Sequence, residues 1–452
     1  MSVLLEHVTA VTMDEERRIL KDAYVAVEGT KIASVGTQRP QGAFDRVIDG
    51  AGKVLMPGFV NAHTHLPMTL MRGYGGGQDL QHWLNDFIFP AEAKLDQRAV
   101  AAGTGLGLAE MIAAGVTCVA DMYMKTGTIA QQIVEAGISA NLSCGGVYFG
   151  APEDFSPETC GDCRNQIALT EEWHGANDGQ ILVDASVHAE YTSNPPLWRW
   201  MADYAIEHRL NMHVHVSETV SEHQACLERW GKTPTQILDQ YGVWDSGRAL
   251  AAHCVYTTPE DWAIMSKKHV SCVHNPWSNL KLGSGVAPVP DMLQAGVNVA
   301  LGTDGMSSHN SADLFSDVKL AACLQAGVRR DPMALSAWQA LEMATVNGAE
   351  ALGRDTGVIA PGKTADLILV DFSAPNLTPC HDVAENLVYA AHGSNVDMNM
   401  ARGKVIYEKG EFFTLDLERI RYEVEHYALP LLFGSNARSP HFRLLSLNAI
   451  ST

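Results

Sequence analysis

Positive charge is scarce in this chain. Across 452 residues, 32 Lys and Arg stand against 52 Asp and Glu, giving a formal net charge of −20. That balance argues against nucleic acid or an anionic membrane surface as partner, because both are bound through basic patches. It leaves a small-molecule substrate open. No run approaches 18 uncharged apolar residues, so no segment reads as spanning a membrane. Met1-Ser2-Val3-Leu4-Leu5-Glu6 lacks the basic leader and apolar core of a secretory signal. The nine cysteines form no spaced framework, and Cys118, Cys254 and Cys272 lie inside apolar runs. Free thiols in a reducing, cytoplasmic setting are expected. Cys160 and Cys163 form a CxxC, but a second pair at zinc-finger spacing is missing, so a surface loop is expected there. Internal repeats and low-complexity tracts are also lacking. With 46% hydrophobic and 19% charged residues, the chain has the composition of a folded globular protein with a large core.

What is present is a set of histidines and carboxylates at strand ends. The stretches are Pro57-Gly58-Phe59-Val60-Asn61-Ala62-His63-Thr64-His65, His213-Val214-His215-Val216-Ser217-Glu218, Ala251-Ala252-His253-Cys254 and Leu301-Gly302-Thr303-Asp304. Each follows or ends an apolar, strand-like run. Side chains at i and i+2 of a strand share a face, so His63 and His65 can reach one ion. A lone His at a strand end is commonly a hydrogen-bonded structural residue. The paired His63 and His65, joined by His215, His253 and Asp304, make coincidence a poor account. Imidazole and carboxylate suit zinc or another first-row divalent metal. His213 shares the strand face of His215 and reads as either a support for the site or a core residue. His82, His223 and His309 carry no comparable pattern, and His223 is expected to be solvated.

Residues 57–356 alternate apolar strands with helical patterns, such as Arg98 to Ala114 and Pro195 to His208. Alternation of this kind implies parallel strands with helical crossovers, and ligating residues at strand ends suit the top of a (β/α)8 TIM-type barrel. Residues 1–56 and 357–415 read as short strands with turns, including Glu28-Gly29-Thr30 between Ala23–Val27 and Lys31–Val35. Together they are expected to build a small β-sandwich domain from both chain ends. Phe149 to Glu158 reads as a loop above the barrel. Residues 416–452 read as a helix and an extended tail with an apolar end, Leu444-Leu445-Ser446-Leu447, suggesting packing on the body or a homo-oligomeric partner.

With these motifs the chain resembles the amidohydrolase superfamily over nearly its whole length. Within it the chain is most similar to the 5′-methylthioadenosine/S-adenosylhomocysteine deaminases. The narrower marks are His82-Trp83-Leu84 followed by Pro90-Ala91-Glu92-Ala93-Lys94, and Thr303-Asp304-Gly305-Met306-Ser307-Ser308. The resemblance implies a hydrolytic deamination of an adenine nucleoside, releasing ammonia. It implies that His63, His65, His215 and Asp304 hold one divalent metal, zinc or iron(II). Glu218 would be the general acid and base, with His253 and Asp304 handling the proton of the attacking water. Glu92 and Trp83 would meet the ribose, His188 and Ser308 the nucleoside, and Arg164 the far end of the 5′ substituent. Read without the resemblance, Glu92 is an ordinary helix carboxylate, Trp83 a core residue and Arg164 a solvated charge.

Deaminases acting on S-adenosylhomocysteine often carry a further Arg where this chain reads Leu142-Ser143-Cys144-Gly145, and none lies between there and Arg164. The His-x-Glu…Pro-Cys-x-x-Cys signature of the zinc nucleobase deaminases is absent. Two alternatives stay open: another amidohydrolase acting on a heterocycle (a guanine or cytosine deaminase, or a ring chlorohydrolase), and a non-catalytic scaffold.

Overall fold

The computed structural model describes residues 1–434. It is an α/β protein whose parallel strands fall in two five-stranded sheets. Ten parallel strands are numbered here: β1 Phe59–His65, β2 Val116–Met122, β3 Ser139–Ser143, β4 Ile181–Val183, β5 Ala185–Ala189, β6 Met212–Val216, β7 Ala249–His253, β8 Val270–His274, β9 Val299–Leu301 and β10 Asp304–Gly305. One sheet has the order β10-β1-β2-β3-β4 and the other β5-β6-β7-β8-β9. Only Asp184 separates β4 from β5, and only Gly302 and Thr303 separate β9 from β10. Gly302 is needed there, because a Cβ would come within 2.5 Å of Asn275 Oδ1 and 2.9 Å of the His63 backbone nitrogen.

The crossover helices begin where local chemistry supplies partners for their first N–H groups. Asp96 accepts the Ala99 N–H (2.9 Å) to open the helix Gln97–Ala113. Pro195–His208, the span expected from the sequence, starts without a side-chain cap, its two leading prolines having no N–H to satisfy. Thr219 and Glu222 form a reciprocal capping box on Val220–Trp230. Strands β2, β3, β6, β7 and β8 are buried along their full length, as expected of strands covered on both faces.

Strands from both chain ends join in a separate nine-stranded sheet. Ser2–Val11 pairs antiparallel with Ile19–Glu28, and Leu367–Asp371 pairs antiparallel with Lys53–Pro57. Val3, Leu5, Val25, Leu55, Leu369 and Met398 share the buried cluster of this part. The stretch from Met400 to Tyr407 is a hairpin. Arg402 and Gly403 both take positive φ (49° and 74°), as a tight turn of this twist demands, so Val396–Ala401 folds back on Lys404–Glu408. After residue 416 the chain is helical, Leu417–Glu423 continuing through Val424–Ala428 and Leu429–Phe433. The expected apolar tail at Leu444–Leu447 lies outside the described residues.

Two local expectations are corrected. His223 is buried, not solvated, and its Nδ1 lies 3.1 Å from Ser217 Oγ. The Cys160/Cys163 pair is not on a surface loop: both are buried at the start of the helix Gly161–Trp173. That helix turns one face to the sheet, and small thiols fill it.

Phe59, the first residue of β1, meets Phe315 edge-to-face at 4.6 Å, both fully buried. The pair clamps the first site-bearing strand to the helix Leu314–Arg329. Phe315→Ala is expected to cost about 3–5 kcal/mol, read as a lower denaturant midpoint with unchanged slope. A midpoint within error of the parent's would show that the contact is not holding the strand.

Candidate metal centre and active site

The strand ends converge on one buried cluster. His63 and His65 both aim Nε2 at Asp304 Oδ1, at 3.4 Å and 3.1 Å. Ligand atoms of His63, His65 and Asp304 lie within 4.8 Å of one another, as do those of His63, His215 and His253. His63 belongs to both groups, so the two describe one centre drawn from both sheets.

The far nitrogens of these rings are tied down, which fixes which nitrogen faces the centre. His65 Nδ1–H donates to the Met122 carbonyl at 2.5 Å, and His215 Nδ1–H to the His188 carbonyl at 2.7 Å. His63 Nδ1 shares a hydrogen bond with His213 Nε2 (2.9 Å). His213 is therefore a support for His63, the first of the two readings left open for it. His253 Nδ1–H donates to Asn279 Oδ1 at 2.8 Å. His63 Nε2, fully buried, is left without a hydrogen-bond partner. A buried polar nitrogen without a partner is costly, and a cation at the centre of the cluster satisfies it.

The electrostatics agree. Burial pulls His63 down to about 4 and holds His215 well below the ordinary imidazole range, so both are neutral near pH 7, the form a cation requires. Burial works against charge on Asp304, yet the His65 and His63 imidazoles, at 3.1 Å and 3.4 Å from its Oδ1, keep its carboxyl well below the usual range. Burial opposes a proton on His65, but the bond and charge of Asp304, the Met122 carbonyl and the charge of Asp121 together raise that imidazole to about 9. A divalent cation competes with that proton for the same nitrogen.

Position is enforced by neighbours and by strain. Asn61 accepts the Thr303 N–H (3.0 Å) and donates to Thr303 Oγ1 (2.8 Å), stitching β1 to the residue before Asp304. Ser278 and Ser308 donate to Asp304 Oδ2 at 2.6 Å and 2.9 Å. Ser217, His253, Cys254 and Asp304 all take positive φ, between 49° and 75°. Left-handed backbone costs a non-glycine residue roughly 1–2 kcal/mol, and its concentration at these strand ends marks where the fold has been bent to aim side chains.

Glu218 is buried beside the cluster, with Oε2 3.7 Å from His253 Nε2 and Oε1 accepting from Ser284 Oγ at 3.4 Å. Burial raises its carboxyl, with His253 pulling back, so it holds a proton to higher pH than a solvated carboxyl does. Glu222 steadies the loop beneath it by accepting the Ser217 and Glu218 N–H groups at 2.9 Å and 2.7 Å.

A cavity of about 460 Å³ opens from this centre. Its lining brings together Trp83, Glu92, His188, Glu218, His253 and Ser308, with His65, His215 and Asp304 at its floor. Glu92 is buried and accepts the Tyr123 hydroxyl at 2.6 Å, so it is no ordinary helix-surface carboxylate. Trp83 is buried, with its indole N–H on the Tyr74 carbonyl (3.2 Å). Ser308, expected at the nucleoside, has its hydroxyl engaged with Asp304. Arg164 is the outlier. It is exposed, its Nη1 donates to the Glu158 and Thr159 carbonyls at 2.9 Å and 3.1 Å, and it does not line the cavity. The helix Gly161–Trp173 turns Asp162 toward the cavity and Arg164 to solvent. Sequence reading missed Tyr123, whose one signal is its place directly after β2, and Asn61, whose signal is its place two residues before His63 on the same strand face.

The chain belongs to the Amidohydrolase family, whose sequence pattern matches residues 54–406. A 5-methylthioadenosine/S-adenosylhomocysteine deaminase of Dictyoglomus thermophilum is 41% identical over 433 residues, which cover 96% of this chain and 99% of that one. A 5′-deoxyadenosine deaminase of Methanosarcina acetivorans is 40% identical over 435 residues, 96% of this chain and 99% of its own. Among solved structures, an adenosine deaminase of Xanthomonas campestris with bound zinc superposes with a TM-score of 0.89 at 32% identity, covering 95% of this chain and 98% of that one.

Proposed function

We propose that this protein is a metal-dependent hydrolytic deaminase of adenine nucleosides with a small or neutral 5′ group. The observation that carries the reading is the cavity itself. One end holds the histidine–aspartate cluster and the protonatable Glu218, and its wall presents Glu92, backed by Tyr123, beside Trp83. A carboxylate held by one neighbour keeps lone pairs for two adjacent hydroxyls, and an indole offers a flat apolar wall to a sugar. The names of the relatives support the deamination of adenine nucleosides.

His63, His65, His215 and Asp304 would hold the ion, zinc by donor type with iron(II) the alternative. Bound there, a divalent metal lowers the pKa of water from about 15.7 toward 7 and so provides hydroxide at neutral pH. The chain's own groups do the rest. Glu218 donates its proton to the purine ring nitrogen next to the amino-bearing carbon, which makes that carbon electrophilic. His253 and Asp304 take a proton from the attacking water and pass it to the amino group, which leaves as ammonia while the new hydroxyl returns its proton to Glu218. His188 flanks the nucleoside. The reaction takes nucleoside and water to the inosine analogue and ammonia.

In this reading the two parallel sheets close into one (β/α)8 barrel over residues 57–356. Support comes from the one- and two-residue gaps at Asp184 and Gly302-Thr303, and from a buried cluster joining Val60 and Cys118 to Leu250, Val273 and Ala300. Residues 1–56 and 357–415 form the second domain, its sheet curling into a sandwich, and the C-terminal unit begins at 416, with 417–433 helical.

The test is ammonia release from methylthioadenosine, adenosine, S-adenosylhomocysteine, adenine and guanine by metal-replete protein. Methylthioadenosine and adenosine are expected to exceed S-adenosylhomocysteine by about ten- to a hundredfold in kcat/KM, the worth of a missing Arg–carboxylate contact. Activity confined to free bases overturns the nucleoside assignment.

A further inference from the structure

The cavity wall away from the metal cluster carries a charge that the substrate reading does not use. Asp162 lines the cavity with Cys144, Val147, Phe149, Met122 and Met124. These residues follow β2 and β3, next around the strand order from Tyr123, the partner of Glu92. A nucleoside with its base at Glu218 and its ribose at Glu92 therefore directs its 5′ substituent at this wall. Among the described residues lining the cavity none is Lys or Arg, whereas Glu92, Asp162, Glu218 and Asp304 are all acidic.

Asp162 is held in place. Its Oδ2 accepts the Val147 N–H at 2.8 Å and its Oδ1 accepts from Asn165 Nδ2 at 3.4 Å. Each bond occupies one lone pair, and each carboxylate oxygen has a second. The wall around it is otherwise apolar, and a charge beside apolar surface is only weakly screened.

We propose that Asp162 reads the charge of the 5′ substituent, favouring cationic over neutral and neutral over anionic groups, and so determines specificity among adenine nucleosides. The proposal rests on the deaminase reading above. It explains the chain's missing arginine as one half of a reversal: the wall that would pair with a terminal carboxylate instead presents a carboxylate of its own. Repulsion at this point rejects an anion more strongly than the mere lack of a partner does.

The experiment compares kcat/KM for 5′-amino-5′-deoxyadenosine (cation), methylthioadenosine (neutral) and adenosine 5′-carboxylic acid (anion) in the parent protein and in Asp162→Asn. Asparagine keeps an acceptor for the Val147 N–H and removes only the charge. The parent should rank the amine above the thioether above the acid. In Asp162→Asn the amine-to-thioether ratio should fall, and the acid-to-thioether ratio rise, each by about tenfold, the usual scale of a charge-assisted contact. The change should reside mainly in KM. Ratios within one protein cancel any general loss of folding or metal. Ratios unmoved by the substitution overturn the proposal while leaving the deaminase reading intact. If none of the nucleosides is deaminated by the parent, the deaminase reading itself has failed. A fall in acid turnover relative to the thioether in Arg164→Ala would assign charge reading to Arg164 and also overturn the proposal.

Discussion

Glu218→Gln is expected to keep its metal and to lose on the order of 10² to 10⁴ in kcat, the usual worth of a positioned acid and base. Geometry separates these two outcomes. The Glu218 carboxylate lies 3.7 Å from His253 Nε2 and is absent from both groups of residues whose donor atoms cluster for an ion. Glutamine preserves size and the acceptor for Ser284 but carries no transferable proton. Metal content by elemental analysis and steady-state rates on one preparation give the answer. Loss of metal together with activity would make Glu218 a ligand and require a different proton donor.

The second large effect is on the metal itself. His63→Ala combined with Asp304→Asn should abolish stoichiometric metal binding, read as metal per chain after dialysis. His63 is the residue shared by both donor groups, and its buried Nε2 has no hydrogen-bond partner. Asp304 supplies the negative charge at the centre, held by Ser278 and Ser308. Removing both leaves His65 and His215, too few donors for a closed site. Full occupancy in the double variant would place the ion elsewhere. A cooperative unfolding transition retained by the double variant serves as the folding control.

Some of this was legible in the chain alone, for a physical reason. Histidines of the donor type sit on strands, and a strand's two-residue period makes His63-Thr64-His65 readable as a single face. The helix Pro195–His208 and the hairpin across Glu28-Gly29-Thr30 were likewise readable, since prolines, caps and turn residues act over a few neighbours. A run of apolar strands alternating with helical patterns sufficed for an α/β protein with parallel sheets.

Tertiary structure decided the rest, because it concerns which residues meet across long sequence separations. Asn61 and Thr303 are 242 positions apart, and nothing local tells that they lock β1 to Asp304. Glu92 could have been a solvated carboxylate until Tyr123, 31 residues on, closed over it. His223 and the cysteines at 160 and 163 looked exposed because burial depends on what packs above a helix, not on the helix's own pattern. The sharpest case is the turn that carries Asp162 and Arg164. Two residues apart on one helix, they point in different directions, and the rotation of that helix about its axis is set by packing against the sheet. The family resemblance named Arg164 for the far end of the 5′ substituent; the fold lines the cavity with Asp162 and exposes Arg164.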